Sequence, residues 1–350
     1  MLLNSLDGPL VSVVMGVHNE KDEHLRMALD SICHQTYKNI EFIIVDDRAT
    51  DGCKQILSEY STKFSSIILL KNEVNLGLTK SLNVGIQHAA GSFIARMDAD
   101  DYSVPTRIEK QVRFLIDNPD IDICGTGVVS FGDDKMYMSP NKGLSNDEAQ
   151  CYLFFSSTLC HPSVMMRKSF LLENNLKYDE RVKRGQDYDL WERSSVYGKL
   201  AVMEEVLLFY RLHAAQITSS HRDEQDYYAR MIRLRRLSRI GIIPTDKEYS
   251  CHMLLAGEVN HSITVTEIKS WIEKVLDANM KNGFVNSESL SAELNFRFAL
   301  YKIRNHHFLS LLNLVDLYRL GKIVSSRAKM KQGIKRETKK FYNLIKNVLY

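Results

Sequence analysis

Residues 93–101 read Phe93-Ile94-Ala95-Arg96-Met97-Asp98-Ala99-Asp100-Asp101. The first half of this stretch is apolar, and the second half places three carboxylates within four positions. The pattern predicts a buried strand whose C-terminal end carries an acidic cluster. In open α/β sheets, ligands bind outside the C-terminal ends of the strands, and a divalent cation would offset the repulsion between the carboxylates. The alternative is an acidic turn that caps a helix, because short motifs often match by chance.

The segments before this stretch alternate between apolar runs and helical patterns. The runs at residues 11–17, 40–45 and 67–70 are typical of strands buried on both faces. Apolar residues recur at helical spacing in the segments between them, and Thr79 is expected to cap the third helix. The order β-α-β-α-β-α-β predicts an α/β fold with a mostly parallel, Rossmann-like sheet flanked by helices.

Composition and charge limit the classes of protein to be considered. The chain has 350 residues, of which 44% are hydrophobic and 25% charged, as in ordinary globular proteins. Nine basic residues and one acidic residue give residues 322–350 a charge of +8, which leaves −5 for the rest of a chain of net charge +3. The six cysteines form no Cys-x-x-Cys pair, which favours reduced thiols. Neither a signal peptide nor a membrane-spanning helix is expected.

The first strand ends without a glycine-rich loop that would hold phosphate groups. Neither G-x-G-x-x-G nor G-x-x-x-x-G-K-[ST] occurs, and the strand ends instead in Gly16-Val17-His18-Asn19-Glu20. The second strand ends in Asp46-Asp47. The phosphates of a bound nucleotide would therefore have to be held through a metal ion on the later carboxylates. This favours a nucleotide-sugar site over a dinucleotide site.

An ordered set of motifs over about the first 215 residues resembles the family 2 glycosyltransferases of the GT-A fold. The motifs are VSVVMGVHN (11–19), IVDDRATDG (44–52), NLGL (75–78), AG (90–91), MDADD (97–101), HPSVM (161–165), QDYDLW (186–191) and YRLH (210–213). Gly16 and His18 depart from the family, which often has proline or threonine and an aromatic residue there. The resemblance implies transfer of a sugar from a nucleotide-diphosphate donor with inversion at the anomeric carbon.

The resemblance and the residue patterns together predict three parts. Residues 1–215 form the GT-A domain, with a nucleotide-binding half (1–101) and an acceptor half (102–215). Residues 216–320 form a helical appendage, with helices at 221–240, 264–279, 287–306 and 311–320, and residues 321–350 form a basic amphipathic tail. The arginines of 221–240 are expected on a solvated face rather than in a nucleic-acid site, because no RNA-binding motif accompanies them. Residues 133–145 are expected to form an exposed loop.

The resemblance also implies a base and a set of metal ligands. Asp187 matches the catalytic base that takes the proton of the acceptor hydroxyl. Asp100 matches the main ligand of a divalent metal, Mn²⁺ or Mg²⁺, with Asp98 on the ribose and metal side and His213 at a third metal position. Asp187 is equally suited to cap the helix that follows it. A single histidine after a strand is commonly a packed or exposed ring without a ligand.

Five further residues are candidates for binding the donor. Asp47 matches the carboxylate that hydrogen-bonds a uracil-type base, and Gly16 and His18 lie at the neighbouring strand end. Lys80 and Arg211 are placed to meet phosphate oxygens. Asp47 also suits a loop cap, and each of the two cations also suits a solvated surface charge.

The expected enzyme is a hexosyltransferase or N-acetylhexosaminyltransferase with a UDP-sugar donor and a glycan or lipid-linked glycan acceptor. Its expected setting is assembly of bacterial O-antigen, capsule or exopolysaccharide. We expect it in the cytoplasm, with peripheral contact between residues 322–350 and the anionic inner face of a membrane. A solvated basic end is the alternative for this tail. Homo-oligomers through the C-terminal helices are expected, and a nucleic-acid partner is not.

Two other classes of protein remain open from the sequence. A sugar-phosphate nucleotidyltransferase also uses paired aspartates on a metal, but it would usually show a glycine-rich, basic segment after the first strand. Residues 16–22 are not basic. A non-catalytic partner subunit could keep the fold, although it would have no need of Asp100 and Asp187, which are both present.

Overall fold

A computed structural model describes residues 8–132, 135–139, 143–212, 222–258 and 262–304. The chain divides into two compact units, residues 1–239 and 240–350. The strands, all in the first unit, are β1 (Val11–Val17), β2 (Ile40–Asp46), β3 (Ile67–Lys71), β4 (Phe93–Arg96), β5 (Tyr102–Ser103), β6 (Ile121–Gly132), β7 (Lys135–Met138), β8 (Met165–Arg167) and β9 (Lys199–Arg211). The helices of this unit are α1 (Asp22–Cys33), α2 (Asp51–Lys63), α3 (Leu78–His88), α4 (Arg107–Asp117), α5 (Asn146–Tyr152), a 3₁₀ turn (His161–Ser163), α6 (Lys168–Glu173), α7 (Gln186–Ser194) and α8 (Arg222–Arg239).

The strands of the described residues form one nine-stranded sheet, in the order β3-β2-β1-β4-β8-β6-β9-β5, with β7 paired to β6. The first four strands of this order run parallel, as the sequence predicts. β1 pairs on both sides, and all its residues except Gly16 are buried. A Cβ on Gly91 would lie 2.7 Å from the Leu10 carbonyl and the Ser12 amide, so only glycine fits where the chain enters β4.

The second half of the sheet mixes directions. β8 runs antiparallel to both β4 and β6, while β9 runs parallel to β6 and antiparallel to the short β5. Two expectations are wrong here. Residues 133–145 are not a continuous loop, because Lys135–Met138 pairs with β6 as β7. Thr79 does not cap α3; the cap is Gly77, whose φ of 79° favours glycine.

The boundary between the two units follows α8, whereas the sequence analysis places it before this helix, at residue 215. The reason is that the arginines of α8 bond to the rest of the first unit. Arg236 is fully buried and donates to the Ser195 hydroxyl and the Gln150 carbonyl. The expectation of a solvated arginine face is therefore wrong for this residue.

The second unit is helical in the described residues, with α9 (Asp246–Ala256), α10 (Val265–Asn282) and α11 (Ser287–Arg304). The helices expected at 264–279 and 287–306 are confirmed, whereas α9 was not anticipated. Thr245 and Thr264 each form a capping box with the glutamate three residues later. The expected helix at 311–320 and the basic tail lie outside the described residues. No described helix has the length and apolarity to cross a bilayer, and all six cysteines are free thiols.

Candidate active site

The acidic cluster predicted at the end of β4 is present. One carboxylate oxygen from each of Asp98, Asp100 and Asp101 lies within 4.8 Å of the others. Asp98 forms an ion pair with the buried Arg96. Asp101 is fully buried; its Oδ1 accepts a 2.7 Å hydrogen bond from the Arg211 amide, and its Oδ2 has no hydrogen-bond partner in the structure. Burial and the charges of Asp98 and Asp100 raise the pKa of Asp101 well above its ordinary value.

Two arginines fix the backbone around this cluster. The buried Arg107 donates through Nη2 to the Arg96 carbonyl at 2.8 Å, which holds the last residue of β4. Arg211, at the end of β9, donates through Nε to the Asp100 carbonyl at 2.9 Å and stacks 4.6 Å from the Phe131 ring centre. Arg211, whose guanidinium is expected to contact donor phosphates, thus also connects the end of β9 to the turn that carries Asp100.

Asp187 is the second residue of α7, which begins after Gly185 in the left-handed conformation (φ 72°). Its Oδ2 accepts a 3.3 Å hydrogen bond from the Ser157 hydroxyl. Burial raises the pKa of Asp187 above its ordinary 3.8, although the Tyr188 amide and the Ser157 hydroxyl oppose this shift.

The charges of Asp187 and of the acidic cluster act on the same two side chains, those of Cys160 and Tyr178. Burial raises the pKa of Cys160, and the charges of Asp101, Asp98 and Asp187 all add to that rise. Tyr178, whose pKa burial also raises, feels both Asp187 and Asp98. Three of the predicted carboxylates therefore belong to one region of the molecule.

Asp47 lies at the neighbouring strand end, where its carboxylate organises a loop. Oδ1 accepts hydrogen bonds from the Leu76 amide at 2.7 Å and from Asn72 Nδ2 at 2.8 Å, and Oδ2 accepts from the Gly77 amide at 2.8 Å. His18 bonds through Nδ1 to the Asp47 carbonyl at 2.9 Å. These contacts favour the loop-cap interpretation of the Asp47 side chain, which is 4% exposed.

Gly16, Lys80 and His213 are the remaining candidates. A Cβ on Gly16 would meet only ordinary contacts with Leu78 and Ser81 at 3.4 and 3.8 Å, so the space around it does not require glycine. Lys80 is exposed on α3. His213, the expected third metal ligand, lies outside the described residues.

Comparison with known proteins identifies the family. The profile of Glycosyl transferase family 2 matches residues 12–176. An uncharacterized glycosyltransferase of Methanocaldococcus jannaschii is 38% identical over 216 residues, which cover 60% of this chain and 73% of that protein. The chain belongs to glycosyltransferase family 2. The O-antigen biosynthesis glycosyltransferase WbnJ of Escherichia coli is 31% identical over 61% of this chain and 83% of its own length.

The GT-A fold of this glycosyltransferase is confirmed by solved structures. Staphylococcus aureus TarS 1–349 in complex with UDP-GlcNAc aligns with a TM-score of 0.57, over 88% of this chain and 95% of the TarS chain. The sequence identity is 16%, so the likeness extends to the fold alone. The α/β sheet flanked by helices is the fold class expected from the sequence, although four of the strand pairs among the described residues are antiparallel.

One further carboxylate, that of Glu20, acts on the acidic cluster and was not predicted from the sequence. Burial and the charges of Asp100 and Asp98 raise the pKa of Glu20 to about 7. Glu20 follows β1, which pairs in parallel with β4. The available signal was this adjacency, because the C-terminal ends of neighbouring parallel strands meet at one edge of a sheet. Arg96, which pairs with Asp98, and Ser157, which bonds Asp187, were also missed.

The residues at the end of β4 fit the divalent metal that enzymes of this family generally use. The donor set consists of carboxylate oxygens, which hard divalent cations prefer. The unpartnered Oδ2 of Asp101 also fits, because a buried carboxylate oxygen without a hydrogen bond is costly unless a cation or donor meets it. Asp98, Asp100 and Asp101 are the described residues that would hold such an ion.

Proposed function

We propose that this glycosyltransferase transfers a sugar from a UDP-sugar to a hydroxyl group of a glycan or lipid-linked glycan, with inversion, during assembly of a bacterial surface polysaccharide. The observation that carries the proposal is that Asp187, a carboxylate of raised pKa, and the acidic cluster at the end of β4 act on the same two side chains, Cys160 and Tyr178. The O-antigen role in WbnJ's name and the UDP-GlcNAc complex of TarS support the acceptor setting and the donor class.

We propose separate roles for Asp187 and for the acidic cluster, and both roles follow from their charges. Asp187 takes the proton of the attacking hydroxyl, because a carboxylate of raised pKa is a stronger base than an ordinary aspartate. A divalent metal, Mn²⁺ or Mg²⁺, when bound by Asp98 and Asp100, would neutralise charge on the departing diphosphate. His18, Asp47, Lys80 and Arg211 are proposed to contact the donor, with Asp47 acting mainly through the loop it holds.

The proposed cellular setting rests on the name of a relative and on the charge of residues 322–350. We propose that the enzyme lies in the cytoplasm, with the basic residues of 322–350 on the anionic face of a membrane, because the name of WbnJ refers to O-antigen biosynthesis and basic residues are attracted to anionic lipids. We also propose a donor half 1–101 and an acceptor half 102–215 within the first unit, an appendage that begins after α8 rather than at residue 216, a tail at 321–350, and self-association through the C-terminal helices.

The function is tested with a panel of UDP-glucose, UDP-galactose, UDP-GlcNAc and UDP-GalNAc in the presence of Mn²⁺. At least one is expected to raise the melting temperature in a Mn²⁺-dependent manner and to release UDP on slow hydrolysis. Asp187→Asn is expected to keep the thermal shift but to lose UDP release by about 10²–10⁴-fold, the range for removal of a general base.

Asp117→Asn is the matched control, because Asp117 is 63% exposed and its carboxylate pairs only loosely with Arg113, at 3.6 Å. This variant is expected to behave like the wild type. If no UDP-sugar gives a metal-dependent shift, the donor class is wrong. If Asp187→Asn releases UDP at the normal rate, the assignment of the base is wrong.

A further inference from the structure

We propose that Arg235 of α8 is a positioning residue for transfer: it holds α7, and through α7 the Asp187 carboxylate, in the orientation that the reaction needs. The inference rests on the proposed role of Asp187 as the base. It assigns a function to α8, a helix that follows the last strand of the sheet and lies outside the segment matched by the family profile.

Arg235 spans two carboxylates on one face of α7. Its Nη2 donates to Asp189 Oδ1 at 2.8 Å, and its Nε donates to Glu192 Oε2. The two acids are three residues apart and therefore share a helix face. A second arginine of α8, Arg239, donates through Nε to the other oxygen of Glu192. Arg193 occupies the second oxygen of Asp189, at 2.8 Å.

The burial of these groups makes the contact strong and specific. The side chains of Asp189 and Glu192 are 2% and 0% exposed, whereas that of Arg235 is 36% exposed. Without Arg235, Asp189 would keep Arg193 and Glu192 would keep Arg239, but each buried carboxylate would lose one of its charged donors, which is destabilising. The planar guanidinium reaches both acids at once, a geometry that a lysine ammonium cannot reproduce.

Other contacts of α8 fasten it on both sides of α7. The Tyr228 hydroxyl donates to the Arg181 carbonyl at 3.0 Å, in the loop before α7. Arg236 donates to the Ser195 hydroxyl at 2.8 Å, immediately after α7. Helix α8 therefore braces the start, the middle and the end of the segment that carries Asp187.

Because α7 is short, the restraint that α8 imposes on it also acts on Asp187, the proposed base. The helix has nine residues, so it is about 13 Å long, and Asp189 follows Asp187 by two residues. A shift of the Asp189 backbone must displace Asp187 as well, since both belong to the first turn. A misplacement of about 1 Å in a reacting group can cost about 100-fold in rate. The geometry thus makes Arg235 an indirect determinant of turnover rather than of donor affinity.

The test compares Arg235→Gln and Arg235→Lys with Arg113→Gln, which removes a 71% exposed arginine from α4 of the same unit. Binding is measured as the Mn²⁺-dependent affinity for UDP, and turnover as UDP release from the fastest UDP-sugar of the panel. Hydrogen exchange of the amides of residues 186–195 reports directly on α7. We expect Arg235→Gln to lower kcat about 10–100-fold, to leave the affinity for UDP within about twofold, and to speed exchange in α7.

Arg235→Lys is expected to recover part of the lost kcat, because it keeps one ion pair, and Arg113→Gln to match the wild type. Unchanged kcat in Arg235→Gln would overturn the inference, as would an equal loss of UDP affinity, which indicates general damage. Should Arg235→Gln not fold, the same two outcomes are read from Arg235→Lys. Failure of the proposed function is distinct, because it appears as normal turnover in Asp187→Asn.

Discussion

Two acidic clusters of this glycosyltransferase differ in the cations that the protein itself supplies. Among the described residues, the carboxylates of Asp98, Asp100, Asp101 and Glu20 at the end of β4 are coupled to two guanidinium groups, those of Arg96 and Arg211. On α7, the carboxylates of Asp189 and Glu192 form ion pairs with three guanidinium groups, those of Arg193, Arg235 and Arg239. In the first cluster the described carboxylates outnumber the guanidinium groups, which suits a cationic ligand, whereas the carboxylates of the second are paired within the fold and serve structure.

The largest expected effect comes from a substitution in the acidic cluster at the end of β4. Asp100→Ala should abolish the Mn²⁺-dependent thermal shift and lower UDP release by about 10³-fold, because a metal contributes several kcal/mol to stabilising the charge of the transition state. The melting temperature without metal should stay the same or rise, since one member of a repelling group is removed. Asp117→Ala is the exposed control. Retention of the Mn²⁺ shift in Asp100→Ala would show that this cluster is not the metal site.

A substitution in the α7 cluster of Asp189 and Glu192 is expected to lower the free energy of unfolding instead. Glu192→Gln removes the carboxylate that Arg235 and Arg239 share and leaves Arg235 with that of Asp189. It should cost about 2 kcal/mol, less than for a fully buried pair because the arginines are 36% and 26% exposed. The melting temperature should fall by about 5 °C.

Glu59→Gln is the matched control for this substitution. Glu59 also forms a two-point contact with an arginine, Arg26, but both side chains are about half exposed, at 50% and 42%. Pairs of this kind contribute little to stability, so the melting temperature should barely change. Equal effects of the two substitutions would mean that burial does not distinguish the clusters.

The smallest effect on stability is expected from Asp187, whose carboxylate belongs to neither of the two clusters. Because its folded-state pKa is raised, the folded protein binds the proton more tightly, and stability declines as pH rises from the unfolded value through the folded one. At neutral pH the charged form is therefore unfavourable to folding. Asp187→Asn should raise the melting temperature at pH 7 by about 1–3 °C, and this gain should disappear below pH 4. A lower melting temperature at pH 7 would contradict the assigned burial of this base.

The candidate site could be predicted from the sequence to different extents. The parallel strands and the cluster of Asp98, Asp100 and Asp101 were predictable, because an apolar run ending in adjacent carboxylates describes both strand and site. Glu20 and Arg96 were missed, since their proximity to Asp98 depends on how β1 and β4 pair and on where a buried guanidinium finds its partner. The side chain of Asp47 was predicted to meet the donor, but the loop at residues 72–77 supplies its hydrogen bonds.

The sequence by itself determined the fold class and the presence of a carboxylate cluster, because these follow from hydrophobic periodicity and from residues close together in the chain. It indicated the family through the resemblance of its ordered motifs. The tertiary structure decided which charges are compensated. Asp189 and Glu192 lie more than 40 residues from Arg235, and only packing of α8 on α7 brings these charges into contact. Electrostatic energy depends on distance and burial in space, neither of which the order of residues records.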